Sequence, residues 1–251
     1  MNLVSRQLLA LLRTEVKLVG RNATVAGTAT LFPVGMAVLL VLFSRDTLGG
    51  LGWALPVAMQ LALMCGMTVY ITTTLTLTTR REDLYLKRLR TSECSDATIL
   101  AGLSSPPLLL GLVQCLVVVA IVWAFGPAAP SNVPLLLLGI LLAVGMCTVL
   151  AIATTGLVST TQQADMAAMP FFLFLIGTVI WAATGGVEGP DVVQLLLPGG
   201  ALLDLTRLAY DSSLGVGSQF ADAAPAVGVL VAWTLLGAFA AKRLFRWEKR
   251  V

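Results

Sequence analysis

The chain has no histidine, and charged residues make up only 12% of its 251 residues. Without histidine there is no imidazole general base, no histidine metal site and no zincin motif. The four cysteines, Cys65, Cys94, Cys115 and Cys147, form no CxxC pair. Neither a disulfide framework nor a zinc site is therefore expected. No GxxxxGK[ST] occurs, so the chain has no P-loop to hold ATP phosphates, and GxSxG is absent as well. Soluble domains carry about 25% charged residues. A chain with half that share and 57% hydrophobic residues reads as a membrane protein.

What is present is a series of long apolar runs. A spanning helix needs roughly 20 mainly apolar residues. Six runs qualify, at about residues 25–44, 53–78, 106–125, 133–158, 165–184 and 223–241. Ahead of them, residues 1–22 place Arg6, Arg13 and Lys17 on one helical stripe and Val4, Leu8, Leu11, Leu12 and Val19 on the other. That pattern predicts an amphipathic interfacial helix rather than a cleaved signal peptide. Residues 23–251 then form one six-span domain. Glu15 projects from the apolar face of the first helix. It either meets a partner or bends out to the lipid headgroups, because an unpaired buried carboxylate is costly.

Orientation follows from the basic residues. With six spans both termini share a side. That side collects fourteen of the sixteen Lys and Arg residues, while Arg45 and Arg207 lie opposite among Asp46, Glu188, Asp191, Asp204, Asp211 and Asp222. The positive-inside rule makes both termini cytoplasmic. The basic side suits anionic lipid and gives no support to nucleic-acid binding. On the other side, residues 187–210 contain an apolar run broken by Pro198, Gly199 and Gly200. Two short helices re-entering the outer leaflet are expected, buried in protein or lining a cavity.

No acid falls deep in a predicted span, which argues against a proton relay or a charged-ring channel. Polar uncharged features remain. Thr72, Thr76 and Thr79 share a helical stripe. They either line a substrate path or, as is favoured, bond back to their own helix or across to a neighbour. Met166, Met169, Pro170, Phe171, Phe172 and Phe174 cluster at the start of the fifth run. They suit either a deformable gate for apolar cargo or plain lipid-facing packing. Gly139 and Ala143 suit close helix contact.

The segment "TTRREDLYLKRLRTSECSDATILAG", Thr78 to Gly102, holds five of the sixteen basic residues and four of the thirteen acids. "RRED" stands at the mouth of the second span. "LYLKRLR" alternates apolar and basic residues at helical spacing, and Ser95 or Asp96 can cap a following helix. "SSPP" then leads into the third span. Two short helices meeting at a polar corner are expected. A mere topology determinant would need only Lys and Arg.

This segment resembles the "RE…G…(K/R)RLRTTPLS…ILxG" stretch of type-2 ABC exporter permeases, and "LLLPGGALLDLTRLA" is similar to that family's "PLTPLVDLLR" type. The resemblance extends over the whole chain. One departure is Glu93 and Cys94, where the family usually has proline. The resemblance implies an all-α membrane protein with an interfacial amino-terminal helix, six spans and an outer re-entrant hairpin. It implies a coupling helix in loop 80–102, with Arg88, Leu89, Arg90, Thr91, Ser92, Glu93, Cys94, Ser95 and Asp96 docking on an ABC ATP-binding subunit, and Glu15 facing that subunit or a loop arginine. It also implies a second permease chain, identical or homologous, with ATP and Mg held by the partner subunit and no cofactor on this chain. The implied setting is the bacterial cytoplasmic (inner) membrane. A small hydrophobic or amphiphilic cargo (drug, antibiotic or lipid-like) is expected, moving along Thr72, Thr76, Met169, Phe171 and Phe172. A polysaccharide or lipid-linked glycan fits less well. The competing class is a non-transporting anchor or assembly protein that recruits a soluble partner through the same loop.

Overall fold

The computed structural model describes residues 31, 34–39, 41–42, 51–85, 95–126 and 129–245. The expected interfacial helix at 1–22 lies outside them, as does most of the first expected span. Of that span, residues 34–39 and 41–42 are helical, and Ala37 and Val41 enter the main core. All regular structure among the described residues is helical. The helices are α1 (Ala54–Glu82), α2 (Asp96–Phe125), α3 (Val133–Thr155), α4 (Thr161–Ala182), α5 (Val192–Leu195), α6 (Pro198–Tyr210) and α7 (Val216–Leu244). Five of them, α1 to α4 and α7, are long and apolar enough to cross a membrane.

Helix starts follow local side-chain chemistry. Ser95 accepts from the Thr98 N–H at the head of α2, Asn132 from Leu135 at α3, and Thr160 from Gln163 at α4. Each satisfies a donor that the first turn would otherwise leave orphaned. Two expected boundaries are corrected. The third span does not begin at Pro106 after a separate short helix; α2 runs without a break from Asp96, with Pro106 and Pro107 inside it. Proline removes the N–H that would reach the carbonyl four residues back. For Pro106 that carbonyl is Gly102, and the Ser105 hydroxyl donates to it instead at 2.6 Å. The sixth span likewise starts at Val216 rather than about 223 and carries Pro225 internally.

α1 contains a π-helical stretch, Cys65–Ile71. Such stretches are uncommon and often mark functional positions. Here one carries Gly66, where an added Cβ would stand 2.6 Å from the Phe172 ring of α4. Among the described spans α1 is the most enclosed: 61% of its most apolar stretch is buried, against 22% for α7. α2, α4 and α7 turn rows of large apolar side chains outward, among them Val113, Leu173, Leu235 and Phe239. A surface of that kind is suited to lipid.

α6 is the short helix of the broken run between α4 and α7. Eleven of its thirteen residues are buried, which makes it neither a span nor a surface helix. It lies against α1, α3, α4 and α7. Pro198 occupies its first turn, where the missing donor costs nothing. A side chain at Gly199 would overlap Thr178 and the Leu175 carbonyl, and one at Gly200 the Gln194 carbonyl. The Pro-Gly-Gly break therefore serves close approach as well as the turn. Gly139 and Ala143 are both buried, with Gly139 against Leu205 of α6. Within α6, Arg207 bonds Asp204 at 2.8 and 3.1 Å. Burial pushes the Asp204 carboxyl above its ordinary range, and the Arg207 hydrogen bonds pull the other way.

Candidate functional site

The ends of α1, α3, α4 and α7 meet at one end of the bundle. Arg81, the penultimate residue of α1, is buried. Its guanidinium donates to the Thr155 carbonyl at 2.9 Å and to the Val158 carbonyl. Thr155 is the last residue of α3, where a helix leaves acceptors unpaired and partial negative charge accumulates, and Val158 lies in the turn that follows. The next residue, Glu82, accepts from the Thr161 N–H at 3.0 Å and from the Thr161 hydroxyl. Those donors open α4, where the dipole favours an anion. Thr79 adds a hydroxyl contact to Thr161 at 3.1 Å. So two adjacent residues of α1, one of each sign, hold the two sides of the turn between α3 and α4.

α7 closes the same junction. Its Leu244 carbonyl lies so near Gly156 that any side chain there would overlap it. Beneath sits a small core of Leu77, Ile99 and Leu103, covered by Tyr85, Leu100, Ile152 and Phe245. The chain leaves α1 through Leu84, a non-glycine residue at φ 58°. Between α2, α3 and α7 a groove of about 650 Å³ opens at this end. Leu100, Leu108 and Ile152 line it, with Lys242 at its charged edge.

Of the expected coupling residues, Arg88, Leu89, Arg90, Thr91, Ser92, Glu93, Cys94 and Glu15 lie outside the described residues. Ser95 is the N-cap of α2, and Asp96 stands exposed in its first turn, the favourable place for an anion. Ser95 therefore lies at the same bundle end as Arg81, through the Leu77–Ile99 core.

The expected path residues lie farther along α1 and α4. Thr72 bonds back to the Met67 carbonyl at 3.2 Å, within the π stretch, and Thr76 is half-buried. Met169 is exposed, and Phe171 and Phe172 are half-buried. Phe171 belongs to a ladder that the sequence did not reveal. Tyr70 of α1 bonds Thr154 of α3 at 2.8 Å, and its ring lies 4.7 Å from Phe171. Phe174 follows at 6.2 Å and Trp233 of α7 at 6.1 Å. The Trp233 indole then donates to the Leu196 carbonyl beside α5. Four spans and the α5–α6 hairpin are thus joined in one row. None of Thr72, Thr76, Met169, Phe171 or Phe172 lines the 650 Å³ groove.

The family model for the ABC-2 type transporter matches residues 6–181. The chain belongs to that family. The match covers the 80–102 loop and all of α1 to α3, so the Arg81 junction falls inside the ABC-2 region. No curated protein matches the chain. As an ABC-2 protein with five described spans, it is a multi-pass membrane protein and a transporter's membrane subunit. Arg81 and Glu82 were visible as part of "RRED" at the mouth of a span. Their partners were not, because backbone atoms some 75 residues away leave no mark in a sequence.

Proposed function

We propose that this chain is the permease subunit of an ATP-driven exporter in a bacterial cytoplasmic membrane. A separate ATP-binding subunit drives it, and a working unit has two permease chains, identical or homologous. The Arg81 end faces the cytoplasm, in keeping with fourteen basic residues on that side of the chain. ATP and Mg belong to the partner, because this sequence holds no P-loop. The observation that carries the reading is the convergence of four helix ends at Arg81, beside Ser95 and at the root of the expected coupling segment, within the ABC-2 match. A push on that segment reaches several spans at once. Arg88 and Arg90 pair acids on the ATPase, and Leu89 to Asp96 form the docking face.

The cargo is hydrophobic or amphiphilic. In the described spans charged residues stand near the helix ends: Arg80, Arg81 and Glu82 on α1, Asp96 on α2, Asp165 on α4, and Asp222, Lys242 and Arg243 on α7. An apolar groove with a charged edge suits an amphiphile better than a sugar chain. The decisive experiment is gentle purification from the native membrane. An ATP-hydrolysing subunit should co-purify, and substitutions at Leu89 to Asp96 should uncouple its hydrolysis from transport without preventing assembly. Recovery of the chain with no nucleotide-binding partner would sink the proposal.

A further inference from the structure

We infer that Arg81 and Glu82 are positioning residues that carry movement of the 80–102 loop into the third and fourth described spans, α3 and α4; this rests on the exporter reading above. Three observations support it. The pair sits on the last turn of α1, at the very start of the 80–102 segment, so any displacement of that segment's root acts on it directly. Its contacts go to backbone at the two sides of one turn: Thr155 and Val158 carbonyls by Arg81, and the Thr161 N–H by Glu82. Backbone contacts move the helix itself, whereas side-chain contacts can be absorbed by a rotamer change. The signs also match the two helix dipoles, so each charge is held where the helix end favours it.

The route then continues through covalent helix. α4 carries Phe171 and Phe174, and α3 carries Thr154, the partner of Tyr70. A tilt imposed at Thr161 therefore reaches the aromatic row along α4, with Pro170 as the one internal proline on the way. α1 meets the same row at Tyr70, within its π stretch. The junction and the row are two points at which α1 holds α4, and a shift at one must be accommodated at the other. Packed elements of this kind switch between discrete arrangements rather than deform smoothly.

The test uses the full chain with its native cysteines and two introduced spin-label pairs, the labelled chain without the introduced pairs giving the background to be subtracted. Asp83→Cys with Leu157→Cys reports the clasp, and Gln162→Cys with Leu244→Cys reports α4 against α7. In the purified permease the first pair should give a single distance peak, lost in Glu82→Ala. In the assembly with its ATP-binding subunit, trapping with ATP and vanadate should shift the second pair, and Glu82→Ala should abolish that shift while hydrolysis continues. Thr161→Val, a milder change than loss of the carboxylate, should reduce the shift, and Thr161→Ser should restore it. A shift that survives both Glu82→Ala and Thr161→Val undiminished overturns the clasp. An unsubstituted assembly in which neither pair responds to trapping contradicts the exporter reading instead.

Discussion

The two ends of the bundle are both tied by polar side chains, but with different chemistry. At the Arg81 end the ties are ionic groups on helix termini. At the opposite end the ties between helices are neutral, and an ion pair there, Arg207 with Asp204, stays within α6. Asn132 donates to Gln219 at 2.8 Å, Gln219 donates to Ser131 at 3.0 Å, and Ser131 donates to the Ala209 and Asp211 carbonyls at 3.0 Å. That knot joins the start of α3, the end of α6 and the start of α7. It fixes a hairpin already enclosed by protein. An amide–hydroxyl knot adds about 1 kcal/mol per bond and is insensitive to nearby charge. Hydrogen bonds to charged groups contribute about 1.5–3 kcal/mol each. They also respond to any charge brought alongside. The neutral end is suited to staying put and the charged end to being addressed.

The largest expected effect is at the charged end. Arg81→Ala leaves the Thr155 carbonyl at the end of α3 and the Val158 carbonyl in the following turn without this donor and empties a buried site. A loss of roughly 3 kcal/mol or more is expected. Arg81→Lys keeps the charge but not the fork that reaches two acceptors, and should fall between. Thermal unfolding in detergent, followed by size-exclusion of the surviving fraction, gives the order. Equal stability for Arg81→Ala and the native chain would remove the basis of the comparison. Next comes the neutral knot. Gln219→Ala should cost about 1–2 kcal/mol by the same assay. A loss matching that of Arg81→Ala would mean that the two ends do not differ in the way described.

How much of this was legible in the sequence depends on what each feature is made of. Span positions were, because a long apolar run announces itself, and five of the expected spans correspond to α1 to α4 and α7. The start of α2 was not, because Pro106 looks like a helix opening until the Ser105 hydroxyl is seen replacing its missing donor. The Pro198-Gly199-Gly200 break read as a turn between short helices, and α5 and α6 flank it. That both glycines are required by neighbouring backbone or side chains could not be read, since close approach is a property of the pair. The expected coupling segment was singled out by its acids and spacing. At its start, Arg81 and Glu82 hold partners that are mostly backbone atoms, which have no residue identity to recognise.

The smallest effect separates strain from packing at the exit from the charged end. Leu84 sits at φ 58°, held by its own N–H to the Arg81 carbonyl at 3.1 Å, while the Asp83 N–H reaches Thr79 at 3.0 Å. A left-handed residue with a Cβ costs roughly 1–2 kcal/mol. Its side chain is 52% exposed, so little packing offsets that cost. Glycine removes the penalty but gives the unfolded chain more freedom, roughly 0.5–1 kcal/mol. Leu84→Gly should therefore leave stability unchanged or slightly raised. Leu84→Ala keeps the conformational penalty and should be the less stable of the two by about 1 kcal/mol. If the alanine variant equals the glycine one, Leu84 is not held in the left-handed region in solution. The charged end would then pass to the loop through a relaxed joint rather than a fixed one, and a push on the loop would be partly lost before it reached Arg81.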